Sequence, residues 1–147
     1  MVIRKAAKRE IKEIAKLMLK EFSKPPFNEN ASLKAVIKSL NFYFKVGKVY
    51  VAVIDKRIIG IVVFKVEQYW EGPVVIIEDL AIKEEFKKQG IGKKLMDNVE
   101  AYAKKNKIRA VYFKTNRKSP AVKFYKKQGY KLKKEVVSME KKIKLKE

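Results

Sequence analysis

Two adjacent carboxylates, Glu78 and Asp79, interrupt an apolar run in the segment VVIIEDLAI at residues 74–82. An uncompensated charge in an apolar segment is costly, so each carboxylate needs a partner, a water-filled cleft or a raised pKa. Residues 66–82 contain no lysine or arginine, although the formal net charge of the chain is +21. This acidic stretch predicts a site for a cationic ligand, where a carboxylate could also act as a general base. The alternative, in which Glu78 simply pairs with a lysine, stays open.

A glycine-containing loop follows this segment and is rich in basic residues. Its members are Gly90 and Gly92 with Lys87, Lys88, Lys93 and Lys94. A loop that leads into a helix offers unpaired backbone N–H groups and the positive end of the helix dipole, which together suit a phosphate group. The loop is neither a P-loop nor a dinucleotide fingerprint. Lys94 stands where the former needs Ser or Thr, and Leu95 where the latter needs a third glycine.

The composition excludes several kinds of chemistry. The 147 residues include no cysteine and no histidine, which excludes disulfides, a thiol nucleophile, a histidine base and zinc sites built on these residues. No apolar run approaches the roughly 20 residues of a membrane span, and no secretory signal is visible. We therefore expect a cytoplasmic protein without a membrane partner. The basic excess favours an anionic partner such as nucleic acid or a phosphorylated small molecule, or it reflects a lysine-solvated surface.

Hydrophobic periodicity and turn residues predict the elements that must position these residues. The predicted helices are residues 8–22, 32–44, 92–105 and 119–128, and the predicted strands are residues 2–5, 48–54, 57–66, 74–82, 108–115 and 130–143, the last as one or two strands. The strand at residues 74–82 is apolar at both alternations, which predicts a central position covered on both faces. The order of elements predicts an α/β (α+β) fold, in which one domain over residues 1–147 contains a mixed sheet with helices on its faces.

A second motif lies in the segment SPAVKFYKKQGY at residues 119–130. Together with the strand at residues 74–82 and the glycine loop, it resembles the GNAT superfamily of acyl-CoA-dependent N-acetyltransferases over essentially the whole chain. The residues that match the family's second signature at full spacing are Ala121, Phe124, Tyr125, Gly129 and Tyr130. The resemblance implies the GNAT fold, with a central, mostly antiparallel sheet flanked by helices.

The resemblance also implies that acetyl-CoA binds as a co-substrate, without a metal. The pyrophosphate would be wrapped by the loop residues Lys87, Lys88, Gln89, Gly90, Ile91, Gly92 and Lys93. The pantetheine arm would lie along Leu80, Ala81 and Ile82, where their strand separates from residues 108–115. Asn116 is a further candidate contact, out of register with the family's asparagine, for which Lys118 stands here. Lys87 and Lys88 also replace the family's usual Arg or Gln and its frequent Gly, and lysine lacks the bidentate fork of arginine.

The implied reaction is direct attack of a neutral primary amine on the thioester, with Tyr125 as the general acid near the cofactor sulfur. Glu78 is the expected base, acting through water, and Glu78 and Asp79 would bind the amine. Asp79 or a chain of waters stays open as the base, because a β-bulge could turn either carboxylate into the cleft. The implied acceptor is a small amine or polyamine, or a protein amine, and homodimers are common in the family. Two alternatives remain: a basic α+β domain that binds nucleic acid, and a CoA-binding domain without catalysis.

Overall fold

The computed structural model describes residues 1–25 and 27–146, so Pro26 in the predicted turn-rich loop lies outside the described residues. The chain divides into two compact units, Met1–Asn116 and a second unit that starts at Arg117. The described elements are β1 (Val2–Lys5), α1 (Ile11–Phe22), α2 (Leu33–Val46), β2 (Lys48–Ile54), β3 (Arg57–Tyr69), β4 (Gly72–Ile82), α3 (Ile91–Lys105), β5 (Val111–Tyr112) and α4 (Ala121–Lys127). Short 3-10 turns at Lys8–Glu10 and Glu84–Phe86 precede α1 and α3.

The first unit contains a five-stranded sheet in the order β1-β2-β3-β4-β5. Neighbouring strands are antiparallel except for β4 and β5, which are parallel. The α/β mixed sheet with a mostly antiparallel centre, predicted from the order of elements and the family resemblance, is therefore confirmed. The predicted hairpin between β2 and β3 turns at Asp55 and Lys56, whose φ angles of 48° and 64° are those of a two-residue turn that matches the twist of the strands.

Helices cover both faces of the sheet in the first unit. On one face, α1 and α2 form a core with Val51, Val63 and Ala81 of the strands. On the other face, Phe64 of β3 stacks on Tyr50 and meets Tyr102 of α3 edge-on at 5.1 Å between ring centroids. Alternate residues of β3 thus face opposite helices, which explains why this strand and β4 are apolar at both alternations.

The hairpin between β3 and β4 is longer than the sequence predicts. A turn was expected over residues 67–73, whereas β3 continues to Tyr69 and only Trp70 and Glu71 form the turn. The backbone ladder continues to the pair of Tyr69 and Gly72. Such a ladder needs paired N–H and C=O groups but no apolar side chains, so the polar residues near the tip do not end it.

The end of the chain departs from the predicted pattern. Strands were expected at residues 130–143, but the described residues 130–146 contain neither helix nor strand. The apolar side chains that suggested strands, including Val136, Val137 and Met139, are exposed. A strand forms only where a neighbour accepts its backbone hydrogen bonds, and alternation in sequence does not provide that neighbour. The strand predicted at residues 108–115 is also reduced, to Val111–Tyr112.

Gly47 marks a close approach between the end of α2 and the sheet. A Cβ atom at this position would lie 2.5 Å from the backbone oxygen of Phe64 and 3.3 Å from that of Tyr43. Because backbone atoms cannot rotate away, Gly47→Ala is expected to lower the free energy of unfolding by roughly 1–3 kcal/mol, the usual cost of overpacking. Urea denaturation measures this change. The neighbouring control Val46→Ala removes an exposed side chain and is expected to cost less than about 0.5 kcal/mol; equal midpoints for the two variants would contradict the prediction.

Candidate active site

A β-bulge in β4 turns two neighbouring carboxylates toward the same helices. Val63 of β3 pairs with Asp79 and the next residue, Phe64, pairs with Ile77, so Glu78 is the extra residue of β4. Paired residues share a face, and Val63 belongs to the core beneath α1 and α2. Asp79 therefore faces α1 and α2. A regular strand would have sent Glu78 and Asp79 to opposite faces, whereas the bulge keeps both near these helices.

Glu78 is held in an ion-pair network on this face. Its Oε1 lies 3.2 Å from Nζ of Lys65, and the same ammonium lies 3.0 Å from Oε1 of Glu67. These two carboxylates raise the pKa of Lys65, which keeps the ammonium charged. Burial, and then the negative charge of Glu78, raise the pKa of Tyr43 on α2. Glu78 thus pairs with a lysine, the alternative that the sequence left open. The role of Glu78 as a base stays a prediction.

Asp79 occupies a different environment from Glu78. Its side chain is half-buried and lines a cavity of about 210 Å³. Burial, followed by the negative charges of Glu29 and Glu78, raises the pKa of Asp79 to about 6. Each of these causes disfavours the ionised form, and a carboxyl group with such a pKa can accept a proton near neutral pH.

The cavity lies between α1, the loop that follows it, α2 and β4. Its apolar wall consists of Met18, Leu19, Phe22, Ala31, Ala35 and Val36. Ser23 and Ser39 add hydroxyl groups, and the charged lining residues are Glu29 and Asp79. Among the described residues that line it there is no lysine or arginine, in a chain with 37 of them. The acidic character predicted for residues 66–82 therefore extends to this cavity, where Glu29 contributes from a loop that sequence reasoning did not single out.

The glycine loop has the geometry expected for a site that binds an anion. Gly90 is the N-cap of α3 with a φ of 80°, and a Cβ atom there would meet nothing within 4 Å. Glycine is therefore required by the left-handed backbone rather than by a lack of space. The N–H of Lys94 donates to the carbonyl of Gly90 at 3.1 Å, so the N–H groups of Ile91, Gly92 and Lys93 precede the first hydrogen bond of the helix.

The lysines of this loop are not equivalent. Nζ of Lys87 lies 3.0 Å from Oε1 of Glu21 and 2.7 Å from Oε2 of Glu84. The Glu21 side chain is only 5% exposed, and Lys24 provides a second ammonium at 3.1 Å. Hydrogen bonds to Glu84 and Glu21 outweigh the effect of burial and raise the pKa of Lys87. Lys93 pairs with Asp97 at 2.9 Å on the surface of α3.

Lys88 and Lys94 are also exposed members of the loop, and they complete its basic surface. Lys87 neutralises a buried carboxylate in addition to any role it has with a phosphate. Its predicted contact with the cofactor stays a prediction, as do those of Lys88, Gln89, Gly90, Ile91, Gly92 and Lys93.

Strands β4 and β5 separate beside this loop. They pair only at Val75 with Val111 and at Ile76 with Tyr112, whereas β4 continues to Ile82. Leu80, Ala81 and Ile82 therefore lie beyond the part of β4 that pairs with β5, although they pair with β3. Their contact with the pantetheine arm stays a prediction. Asn116, the other candidate cofactor contact, is an exposed residue at the end of the first unit.

Tyr125 belongs to the second unit and lies on α4. The helix predicted at residues 119–128 is present but begins two residues later, at Ala121, after Pro120 as its N-cap. The N–H of Ala121 donates to Oγ of Ser119 at 3.2 Å, and the helix ends before Gly129, whose φ is 92°. The ring of Tyr125 meets Phe124 and Tyr130 edge-on, at 5.3 and 6.4 Å between centroids. Burial raises the pKa of Tyr125, so its hydroxyl group stays protonated at neutral pH and can donate a proton.

No group of three or more histidine, cysteine, aspartate or glutamate side chains within residues 1–25 and 27–146 could hold a metal ion. Within the same residues, the helices are too short or too polar to cross a membrane.

Comparison with known proteins gives one family match and several solved structures of similar fold. No curated protein sequence matches the chain. A crystal structure of a possible acetyltransferase from Clostridium difficile 630 is similar in fold, with a TM-score of 0.86, 15% identity, and coverage of 97% of this chain and 98% of that one. An aminoglycoside acetyltransferase from an uncultured soil metagenomic sample gives a TM-score of 0.75 at 22% identity, with 97% and 96% covered.

An aminoglycoside antibiotic 6'-N-acetyltransferase from Acinetobacter haemolyticus gives a TM-score of 0.80 at 18% identity, with 98% of this chain and 100% of that chain covered. At these identities the structures establish the fold. The sequence profile of the acetyltransferase (GNAT) family matches residues 11–130, most of the chain and both of its motifs. The chain therefore belongs to the acetyltransferase (GNAT) family.

Proposed function

We propose that this protein is an N-acetyltransferase that transfers the acetyl group of acetyl-CoA to a primary amine by direct attack. The observation that carries the proposal is the position of Asp79, which lines an acidic cavity and immediately precedes Leu80, Ala81 and Ile82, where β4 no longer pairs with β5. An amine bound at Asp79 and a thioester held along the next residues would lie side by side. The neighbours named as aminoglycoside acetyltransferases support N-acetylation as the reaction type.

The cofactor fits the loop at the start of α3. Three N–H groups of the first helical turn, at Ile91, Gly92 and Lys93, are available to the pyrophosphate, and the helix dipole favours its negative charge. Lys88 and Lys94 add exposed positive charge beside them. When bound, acetyl-CoA would supply the activated acyl group, and the separation of β4 from β5 would leave room for its arm.

For the base we propose Asp79 in preference to Glu78, which the sequence favoured. Glu78 forms an ion pair with Lys65, whereas burial and the negative charges of Glu29 and Glu78 raise the pKa of Asp79 to about 6. A general base works best when its pKa lies near the working pH. Asp79 would attract the ammonium form of the acceptor and then take the proton that the amine loses.

Tyr125 is the proposed general acid. The amine nitrogen forms a bond to the carbonyl carbon of the thioester, and the carbon–sulfur bond breaks. The leaving thiolate takes the hydroxyl proton of Tyr125, and the proton that the nitrogen loses as the amide forms replaces it on the tyrosine oxygen through solvent. The proton that Asp79 took from the ammonium form is released to solvent. The products are the N-acetylated amine and CoA with a free thiol group. Burial raises the pKa of Tyr125, so its hydroxyl group is protonated before the reaction, as a proton donor must be.

Amine-dependent release of CoA tests the proposed function. The full chain is incubated with acetyl-CoA and a panel of small primary amines, aminosugars, polyamines and peptides, and the free thiol and the acetylated product are measured. We expect thiol release that requires an amine and equals the amount of N-acetylated product. Saturable binding of CoA without turnover on any amine would indicate a non-catalytic domain. Salt-sensitive binding of nucleic acid without any CoA binding would instead favour the basic nucleic-acid-binding alternative.

A further inference from the structure

The cavity beside Asp79 combines an apolar wall with a local negative charge. Six of its lining residues are apolar and come from α1, α2 and the loop between them. Its charged members, Glu29 and Asp79, are both acidic. The side chains that touch an occupant would therefore favour a hydrocarbon body that carries a positively charged group.

The cavity is open to solvent, because Ser23, Glu29, Ala31, Ala35 and Ser39 of its lining are exposed, so its volume indicates how much of a ligand it can hold. An apolar cavity of about 150 Å³ in a protein can hold a benzene molecule. The cavity here has a volume of about 210 Å³, which leaves room for a group of that size and for one ammonium group. A short alkyl chain or a single aromatic ring fits this space.

Four polar side chains among the described lining residues, those of Ser23, Ser39, Glu29 and Asp79, could bond to a polyhydroxylated occupant, and two of these are the carboxylates that would hold its ammonium group. Ser23 and Ser39 provide the hydroxyl groups among the described lining residues, and Oγ of Ser23 already donates to the carbonyl of Lys20 at 3.0 Å. A hydroxyl group that leaves water without a new hydrogen bond loses free energy. Sugar hydroxyls against Phe22 and Val36 would meet this cost, whereas methylene groups would gain from burial.

We infer that the acceptor is a primary amine with an apolar body, an alkylamine or arylalkylamine, which places its body against α1 and α2 and its ammonium group at Asp79 and Glu29. This inference rests on the proposed function and specifies the acceptor of the same site. Because Asp79 lines the cavity and directly precedes the strand residues proposed to hold the thioester, an amine bound to its carboxylate would lie next to the acetyl group.

The test compares two amines on three proteins. Hexylamine is the probe with an apolar body, and glucosamine is the polyhydroxylated primary amine. The proteins are the native chain, Ala35→Phe, which fills the cavity, and Ala101→Phe, which places the same side chain on the exposed surface of α3. For the native chain, we expect kcat/KM for hexylamine to exceed that for glucosamine about tenfold or more. Ala35→Phe should lower kcat/KM for hexylamine at least about tenfold, and Ala101→Phe should leave it unchanged.

The outcomes separate this inference from the proposed function. Binding of acetyl-CoA is measured for all three proteins by calorimetry, and equal affinities show that the substitutions spare the cofactor site and the fold. If glucosamine is the better acceptor, or if Ala35→Phe does not affect hexylamine, the inference is overturned while the acetyltransferase function stands. If acetyl-CoA binds but neither these amines nor the wider panel is acetylated, the proposed function fails and the inference fails with it.

Discussion

Replacing Asp79 with asparagine is expected to lower kcat/KM about a hundredfold or more, the usual contribution of a general base, and at the same time to stabilise the fold near neutral pH. The loss follows because asparagine can neither attract the ammonium group nor accept its proton. The gain in stability follows because burial and the negative charges of Glu29 and Glu78 make the ionised form of the native carboxyl group unfavourable in the folded protein. A residue that only supports the structure would not give effects of opposite sign.

The stabilising effect of Asp79→Asn depends on pH in a defined direction. The pKa of Asp79 is about 6 in the folded chain, and about 3.9 is usual for an unfolded one. Between these values the folded state binds more protons, so the native protein loses stability as pH rises from about 4 to about 6. Above that window the penalty is complete. The loss in the free energy of unfolding is then roughly 2 kcal/mol, a value reduced for the solvent that still screens a half-buried group. The variant should therefore be more stable than the native chain at pH 8 and nearly equal to it at pH 4.

Urea denaturation at the two pH values and steady-state kinetics together measure this prediction. Asp55→Asn is the matched control, because Asp55 is exposed in the turn between β2 and β3, where asparagine tolerates the positive φ angle. Asp55→Asn should change neither the free energy of unfolding nor kcat/KM. Glu78→Gln is the informative comparison for the choice of base. If Glu78→Gln removes the acidic limb of the pH–rate profile and Asp79→Asn leaves it intact, Glu78 is the base and our assignment is wrong.

Replacing Tyr125 with phenylalanine is expected to lower kcat about a hundredfold and to leave the affinity for acetyl-CoA unchanged. The substitution removes the proton proposed for the leaving thiolate but keeps the ring that contacts Phe124 and Tyr130. Contributions of this size are typical of a general acid that acts only in the transition state.

Tyr130→Phe is the matched control for this substitution, because it removes a hydroxyl group from the adjoining ring of the same unit. It should retain most of the activity. Stopped-flow or steady-state kinetics give kcat, and calorimetry gives the dissociation constant of acetyl-CoA. A Tyr125→Phe variant with native kcat would exclude Tyr125 as the acid, and a variant that loses cofactor affinity instead would assign it a binding role.

Much of the fold could be predicted because its signals are local. Helical periodicity identifies α1 and α2, Ser32 caps α2 by accepting from the N–H of Ala35 at 3.1 Å, and Gly90 and Gly129 stand where the backbone takes a positive φ. The strands at the end of the chain were predicted wrongly, since alternation alone does not specify a pairing partner. Their lysine-rich segment leaves its apolar side chains exposed.

The candidate site could be predicted only in part, because its environments arise from residues distant in sequence. The sequence identified Glu78 and Asp79 as a pair, but the bulge that turns both toward α1 and α2 depends on register with β3. The partner of Glu78 is Lys65 of the neighbouring strand, and Glu29 reaches Asp79 from a loop fifty residues earlier in the chain. No local pattern distinguishes these residues from other surface charges.

The same limit applies to the loop at the start of α3. Its glycines and lysines predict an anion site, yet the sequence does not reveal that Lys87 also neutralises the buried carboxylate of Glu21 on α1. Ion pairs between distant segments depend on the packed fold. The sequence therefore could not predict which of the four lysines of the loop pair with carboxylates of the protein.

Calorimetric titration of acetyl-CoA into the full chain and into Gly90→Val tests the central claim most directly. Valine strongly disfavours the φ of 80° at this position and would displace the N–H groups at the start of α3. Gly72→Val, at a φ of 128° in the first residue of β4, controls for strain alone. We predict saturable binding that CoA competes for, weakened about tenfold or more by Gly90→Val and preserved in Gly72→Val. No saturable binding to the native chain, or equal affinity in the folded Gly90→Val variant, would contradict the assignment of this loop as the cofactor site.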